Sequence, residues 1–244
     1  MTREITKQAL EAAIVRNCSP MLAGLKPACL FTFPGVFLAQ GEHVDKQGLA
    51  RSNRARLLEE LEPCAKALAP SGISLRVLTW RSCGALVYVY RPAMLRRWIA
   101  DPHAARPLRE MGYTASDLER DLDRLAQRLG GEAAPRGEKA DCPMTCKHAG
   151  GRCKKDFPHE IGYFLGYPYE DVAGFIRHKG ERYLAFGQWK VYANVSGALE
   201  TFARYKRCTA DTTSAYRSGA TWDPSRSPPC RKPPMRGEKK ENKP

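Results

Sequence analysis

The hydrophobic positions of the chain recur at helical spacing over most of its length, and two short apolar runs interrupt that rhythm. Ile5, Leu10 and Ile14 fall roughly on one side of a first helix over residues 4–16. Asn17-Cys18-Ser19-Pro20 then breaks the pattern. Ser19 suits an N-cap and Pro20 the first helical position, so a second helix is expected to follow through Leu22 and Leu25 toward Leu30 and Phe31, interrupted at Pro27. A loop over 34–48 leads to a helix from about Ser52 or Asn53, with Leu57, Leu61, Cys64 and Leu68 at helical spacing, a kink or split at Pro63 and a stop at Gly72.

The runs 74–80 and 85–90, separated by Arg81-Ser82-Cys83-Gly84, predict a β-hairpin. The second run is apolar on both faces, as a central strand covered by helices should be. Pro92 opens a short helix to about Ala100, and Thr114-Ala115-Ser116-Asp117 matches a capping box before Leu118, Leu122, Leu125 and Leu129. Gly130-Gly131 ends that helix, and a polar linker fills 130–156. Helices over 157–166 and from Pro168 to near Gly180, strands over 183–186 and 188–192, and a last helix carrying Ala198, Leu199, Phe202 and Tyr205 complete the pattern. No strict βαβ rhythm appears. The expected class is α+β: a single domain over residues 1–209, with a small mixed or antiparallel sheet of three to five strands flanked by helices.

Beyond Thr209 the chain passes through Ala210-Asp211-Thr212-Thr213 into Pro, Ser, Arg and Lys, with six prolines in its last 28 residues. A flexible basic, Pro-rich tail is therefore expected over 210–244, either a native arm or an out-of-frame ending. Composition is otherwise ordinary for a globular protein, at 43% hydrophobic and 27% charged. The formal charge of +14 is not ordinary, and residues 217–244 hold +5 of it. Such a surplus favours polyanions, nucleic acid among them. The basic residues do not cluster with aromatics along one element, so nucleic acid is not the favoured partner. The longest apolar stretch, 21–39, is broken by Lys26, Pro27, Pro34 and Gly35, so no membrane span is expected. Residues 1–15 lack the apolar core of a secretory signal, so the expected location is the cytoplasm and the nine cysteines are expected as thiols.

Three groups of residues carry candidate chemistry. Cys142, Cys146, His148 and Cys153 form a C-x3-C-x-H-x4-C set in the polar linker, a donor set suited to zinc or iron, although the spacing matches no established template. Cys18, just before the expected helix start, would have its thiol pKa lowered by the backbone N–H groups there, and with His159 would make a nucleophile–base pair. His159 and Glu160 sit at another expected helix start, where Glu160 gains from the dipole and His159 serves as acid, base or ligand. Tyr88, Tyr90, Trp189 and Tyr192 would line a pocket or, more simply, pack the core.

Six blocks in order carry a resemblance. They are Cys18-Ser19-Pro20-Met21-Leu22-Ala23-Gly24-Leu25-Lys26-Pro27-Ala28, Leu86-Val87-Tyr88-Val89-Tyr90-Arg91-Pro92, and the segment from Phe157 through Gly162-Tyr163-Phe164-Leu165-Gly166-Tyr167-Pro168. After them come Asp171-Val172-Ala173-Gly174-Phe175-Ile176, Trp189-Lys190-Val191-Tyr192 and Tyr205-Lys206-Arg207-Cys208-Thr209. Together they resemble a bacterial family, domain-of-unknown-function family 3793, found mostly in anaerobic Firmicutes, over about residues 5–209. The resemblance implies no activity, cofactor or catalytic residue. The functional expectation is a non-catalytic binding or regulatory protein, with metal binding at the linker set. The alternatives are a Cys-dependent enzyme using Cys18 and His159, and a nucleic-acid-binding protein.

Overall fold

The run 84–90 has no polar face to turn toward water, so it belongs between two neighbours with helices above and below. In the computed structural model, which describes residues 4–38, 44–130 and 157–219, that is where it lies. Strands β1 (Ala28–Pro34), β2 (Ser74–Arg81) and β3 (Gly84–Tyr90) form an antiparallel sheet in the order β1-β3-β2, and every residue of β3 is buried. Ala28 and Ser74 both stand opposite Tyr90, and Pro34 and Arg81 both stand opposite Gly84.

The two faces of this sheet bury different helices. Cys29, Phe31, Phe33, Ala85, Val87 and Val89 pack with α1 (Lys7–Leu22) and α2 (Val44–Leu68). Ala28, Tyr88 and Tyr90 pack on the other side with α3 (Pro92–Ala100), α4 (Pro102–Glu110), α5 (Leu118–Arg128) and α6 (Ile161–Phe164). A register shift between Val77 and Thr79 leaves Val77 on the first face and sends Leu78 to the second. The protein is therefore α+β, a small antiparallel sheet flanked by helices. A separate two-stranded ladder, β4 (Ala185–Phe186) with β5 (Lys190–Val191), follows α7 (Tyr169–Arg177) and precedes α8 (Val195–Arg217).

The hairpin, the central strand, α3 and the leucine stripe of α5 lie where the sequence pattern predicts. Four departures have physical causes. First, α1 does not stop at Asn17. Its buried stripe Leu10, Ile14, Cys18 and Met21 continues through Pro20, which the helix tolerates in its last turn. Ser19 is thus no N-cap. It is buried, and its hydroxyl donates to the Val15 carbonyl one turn back.

Second, residues 28–34 are strand β1 rather than the end of a second helix. Third, the residue that caps α5 is Asp117, which accepts from the Arg120 N–H, while Thr114 accepts from the Ser116 and Asp117 amides in the preceding turn. Fourth, α8 runs on through Arg217, past the boundary expected at Thr209. Residues 210–217 contain neither Gly nor Pro, and the Thr212 hydroxyl returns to the Cys208 carbonyl inside the helix. α6 is also a single turn rather than the longer helix expected, and α2 begins earlier than Ser52 and passes unbroken through Pro63.

One side chain ties the end of α1 to the sheet. Arg91 donates from Nε to the Met21 carbonyl at 3.0 Å, from one terminal nitrogen to the Leu22 carbonyl at 2.7 Å and from the other to the Ser71 carbonyl at 2.9 Å. The last carbonyls of a helix lack intrahelical donors, and a cation at that end also complements the dipole. Close by, Gly166 adopts φ +71°, and a Cβ there would collide with the Pro27 ring. Only glycine lets the turn after α6 press against the loop that follows α1.

Candidate functional site

The end of α1, the loop after it, β1, the β4–β5 turn and α8 together enclose a cleft of about 880 Å³. Its basic lining residues are Arg16 from α1, Lys26 from the loop, and Lys206 and Arg217 from α8. Among the described lining residues there is no Asp or Glu. A cleft of one sign, walled by low-dielectric protein, concentrates ions of the opposite sign.

Lys26 has the least water of the four, with only 8% of its surface exposed. Its ammonium lies 5.1 Å from the centre of the Tyr167 ring and 5.9 Å from that of Tyr205, and among the described residues no carboxylate pairs with it. Ring faces hold a cation without neutralising it. The aromatic wall continues from there: Tyr167 stacks on Trp189 at 5.2 Å, and Trp189 meets Phe202 edge-on at 4.5 Å. Tyr205 is also fixed by its hydroxyl, which donates to the Leu25 carbonyl at 3.3 Å.

Behind this wall, Asp171 of α7 accepts three hydrogen bonds. The Trp189 indole N–H reaches one carboxylate oxygen at 2.7 Å, and the amides of Tyr192 and Ala193 reach the other at 2.7 and 3.1 Å. Asp171 is 4% exposed, so it is a structural anchor that sets the entry of α8. Gly174 one turn later leaves room for Tyr192, because a Cβ at that position would fall 2.5 Å from the Tyr192 ring.

Cys29 opens onto the cleft from β1, and its neighbour across the helix–sheet contact is Cys18 of α1. Both are buried in the same core cluster. The adjacent Cys18 thiol, helped by the Lys26 ammonium, draws the Cys29 thiol below its ordinary value against the penalty of burial. Burial pushes the Cys18 thiol up instead. The helix-start activation expected for Cys18 is therefore overturned: the residue lies in the body of α1, far from any free N–H groups. Cys29 had no motif to mark it in the sequence, and its role depends on a strand that the apolar pattern concealed.

His159 is exposed at the turn before α6, with its ring centre 5.8 Å from Phe157 and 4.9 Å from Phe175. Phe157 packs on the face of the sheet opposite the one that holds Cys18. Glu160 does precede α6, but its side chain caps nothing. It is 3% exposed, accepts from the Tyr113 hydroxyl at 2.9 Å and forms an ion pair with Arg128 at 2.7 Å. Glu160→Gln is expected to cost about 2 kcal/mol of unfolding free energy in urea, by weakening a buried charged pair whose arginine is partly solvated. It should leave ligand binding in the cleft unchanged, and an equal loss of both would mean that Glu160 belongs to the working site.

Tyr88, Tyr90 and Trp189 are core residues, and the Tyr88 hydroxyl donates to the Phe164 carbonyl at 2.5 Å. Tyr192 is half-buried against the His178 ring. Cys142, Cys146, His148 and Cys153 lie outside the described residues. Among the described residues, no group of three or more His, Cys, Asp or Glu is placed to hold a metal ion. No described helix is long and apolar enough to cross a membrane.

The family model described as "Protein of unknown function (DUF3793)" matches residues 14–223. The chain belongs to this family. The match takes in the whole cleft, from Arg16 on α1 to Arg217 at the end of α8, so the part of α8 beyond Thr209 lies within the family's domain. No curated protein and no solved structure matches the chain.

Proposed function

We infer that the protein is a non-catalytic binding protein of the cytoplasm that takes a small organic anion, bearing phosphate or several carboxylates, in the cleft between α1 and α8. The observation that carries this reading is the buried Lys26 ammonium, held by two ring faces and, among the described residues, without a carboxylate partner. A buried cation is costly unless a counter-charge meets it, and an anion entering the cleft supplies that charge. Arg16, Lys206 and Arg217 around the same space add charge-assisted hydrogen bonds. The volume suits a small molecule better than a nucleic-acid strand, which calls for an extended basic track. Thiols at Cys18, Cys29 and Cys64 accord with a reducing compartment.

Titration calorimetry of the full chain with inorganic pyrophosphate and with citrate tests the reading. At least one of them is expected to bind with a dissociation constant on the order of 0.1 mM, about −5.5 kcal/mol, and to weaken as salt rises. No heat from either anion at low ionic strength would refute it.

A further inference from the structure

The cleft is larger than a bare anion needs, and it is not uniform along its length. Its volume of about 880 Å³ lies toward the upper end of the roughly 300–1,000 Å³ that encloses a drug-sized ligand. The side chains that α8 brings to the lining change character along the helix. Phe202 comes first, Tyr205 and Lys206 follow one turn on, then Thr209 and Thr213, and last Arg217. At the Phe202 end the turn between β4 and β5 supplies Gly187 and Gln188. A Cβ on Gly187 would fall 2.4 Å from the Phe202 ring, so glycine lets the backbone of that turn lie against the ring. The half-buried ring and the bare backbone make an apolar end to a cleft that is otherwise polar and cationic. Gln188 stands beside them, exposed, with an amide that both donates and accepts.

We propose that the ligand is a nucleoside diphosphate, with its base against Phe202 and Gln188 and its phosphates at Lys26 and Lys206. The proposal rests on the anion-site reading above and names the class of ligand that reading leaves open. Citrate or a free phosphate uses the cations alone and gains nothing from an aromatic ring at one end of the cleft. A nucleobase uses both ends. Its π-face packs on an aromatic side chain, and its edge offers donors and acceptors to a glutamine amide. The spacing agrees with this placement. Lys206 lies about 6 Å along α8 from Phe202, four residues at the helical rise, which leaves room for a ribose between base and phosphate. Lys26 reaches the same level, since its ammonium lies 5.9 Å from the centre of the Tyr205 ring. Arg16 and Arg217, farther along the cleft, deepen the positive field that the phosphates enter.

The test is titration calorimetry of the full chain with ADP, GDP, CDP and UDP beside pyrophosphate, at one ionic strength and without divalent metal. At least one nucleotide is expected to bind about tenfold or more tighter than pyrophosphate, a gain of the size that one stacked base supplies, and to be displaced by excess pyrophosphate. Intermolecular NOEs from its base protons should reach the Phe202 ring. In Phe202→Leu the ratio of nucleotide to pyrophosphate affinity should fall toward one, whereas a substitution that merely loosened the cleft would weaken both ligands and keep the ratio. The wild-type titrations and NOEs need no variant to fold. The proposal is overturned if no nucleotide exceeds pyrophosphate by that margin, if the tighter nucleotide is not displaced by pyrophosphate, or if its base contacts other aromatic rings and not Phe202. Pyrophosphate binding without a nucleotide gain would sink this proposal alone and leave the anion site standing; no heat from pyrophosphate, citrate or any nucleotide would refute both.

Discussion

Asp171→Ala is expected to destabilise the protein by about 3–5 kcal/mol and to lower its melting temperature by on the order of 10 °C. The carboxylate is the acceptor for the Trp189 indole and for the amides of Tyr192 and Ala193, and it is almost wholly buried. Alanine strands three donors in a space too small to hydrate them all, and each orphaned donor costs about 1–3 kcal/mol. Asp171→Asn should be milder. Its side-chain oxygen can still accept from both amides, while its N–H₂ faces the indole donor and loses that bond alone. Chemical denaturation of the two variants checks the order, and an alanine variant within about 1 kcal/mol of wild type would show that the anchor is misassigned. The loss should also reach the cleft, because Asp171 fixes Trp189, whose ring packs against Phe202 in the cleft wall.

The second large effect concerns Lys26. Lys26→Gln is expected to weaken pyrophosphate binding by about 1.5–3 kcal/mol, roughly 10- to 100-fold, because it removes the least solvated of the four cations in the cleft. The same substitution should leave the free protein as stable as wild type or more so, since it also removes a buried charge that has only ring faces for company. Opposite signs for stability and binding are the mark of a functional group rather than a structural one. Lys66→Gln provides the control. That lysine is exposed on α2, where it pairs with Glu62, and neither measurement should move by more than a few tenths of a kcal/mol.

Much of the fold was legible in the sequence, and what was hidden was hidden for definite reasons. The hairpin, the central strand and the α5 stripe announce themselves because each has one clean period and a clear boundary: Gly84 at the hairpin turn, Pro92 after β3, and Asp117 before Leu118. Strand β1 did not, since Ala28-Cys29-Leu30-Phe31-Thr32-Phe33 follows a helix after only a short loop and is apolar at every position but Thr32, so the sequence shows no alternation although the burial of the strand alternates. Ser19-Pro20 misled in the same region. Together they resemble a helix start, yet burial of the stripe through Cys18 and Met21 outweighs the local preference of a proline for the first turn.

The candidate site suffered most from these two errors, because it is built where they occur. Cys18 drew notice for a helix terminus it does not occupy, while its partner Cys29 lay unremarked in the concealed strand. Lys26 and Arg16 are single basic residues in a chain with forty, and nothing local distinguishes them. Lys206 and Arg217 stand three turns apart on one helix, the second of them in a stretch whose proline-rich continuation made it look like tail. Only the packing of α1 beside α8 brings the four together over one cleft.

The most direct measurement is a map of amide chemical shifts in the full chain as inorganic pyrophosphate is added. If the cleft is the anion site, the perturbed amides will cluster at Arg16 and Asn17, from Lys26 to Cys29, at Gly187 and Gln188, and along α8 from Phe202 to Arg217, with a single saturable binding curve. Shifts scattered over the basic surface without saturation, or confined to the opposite face of the sheet around α3–α6, would contradict it.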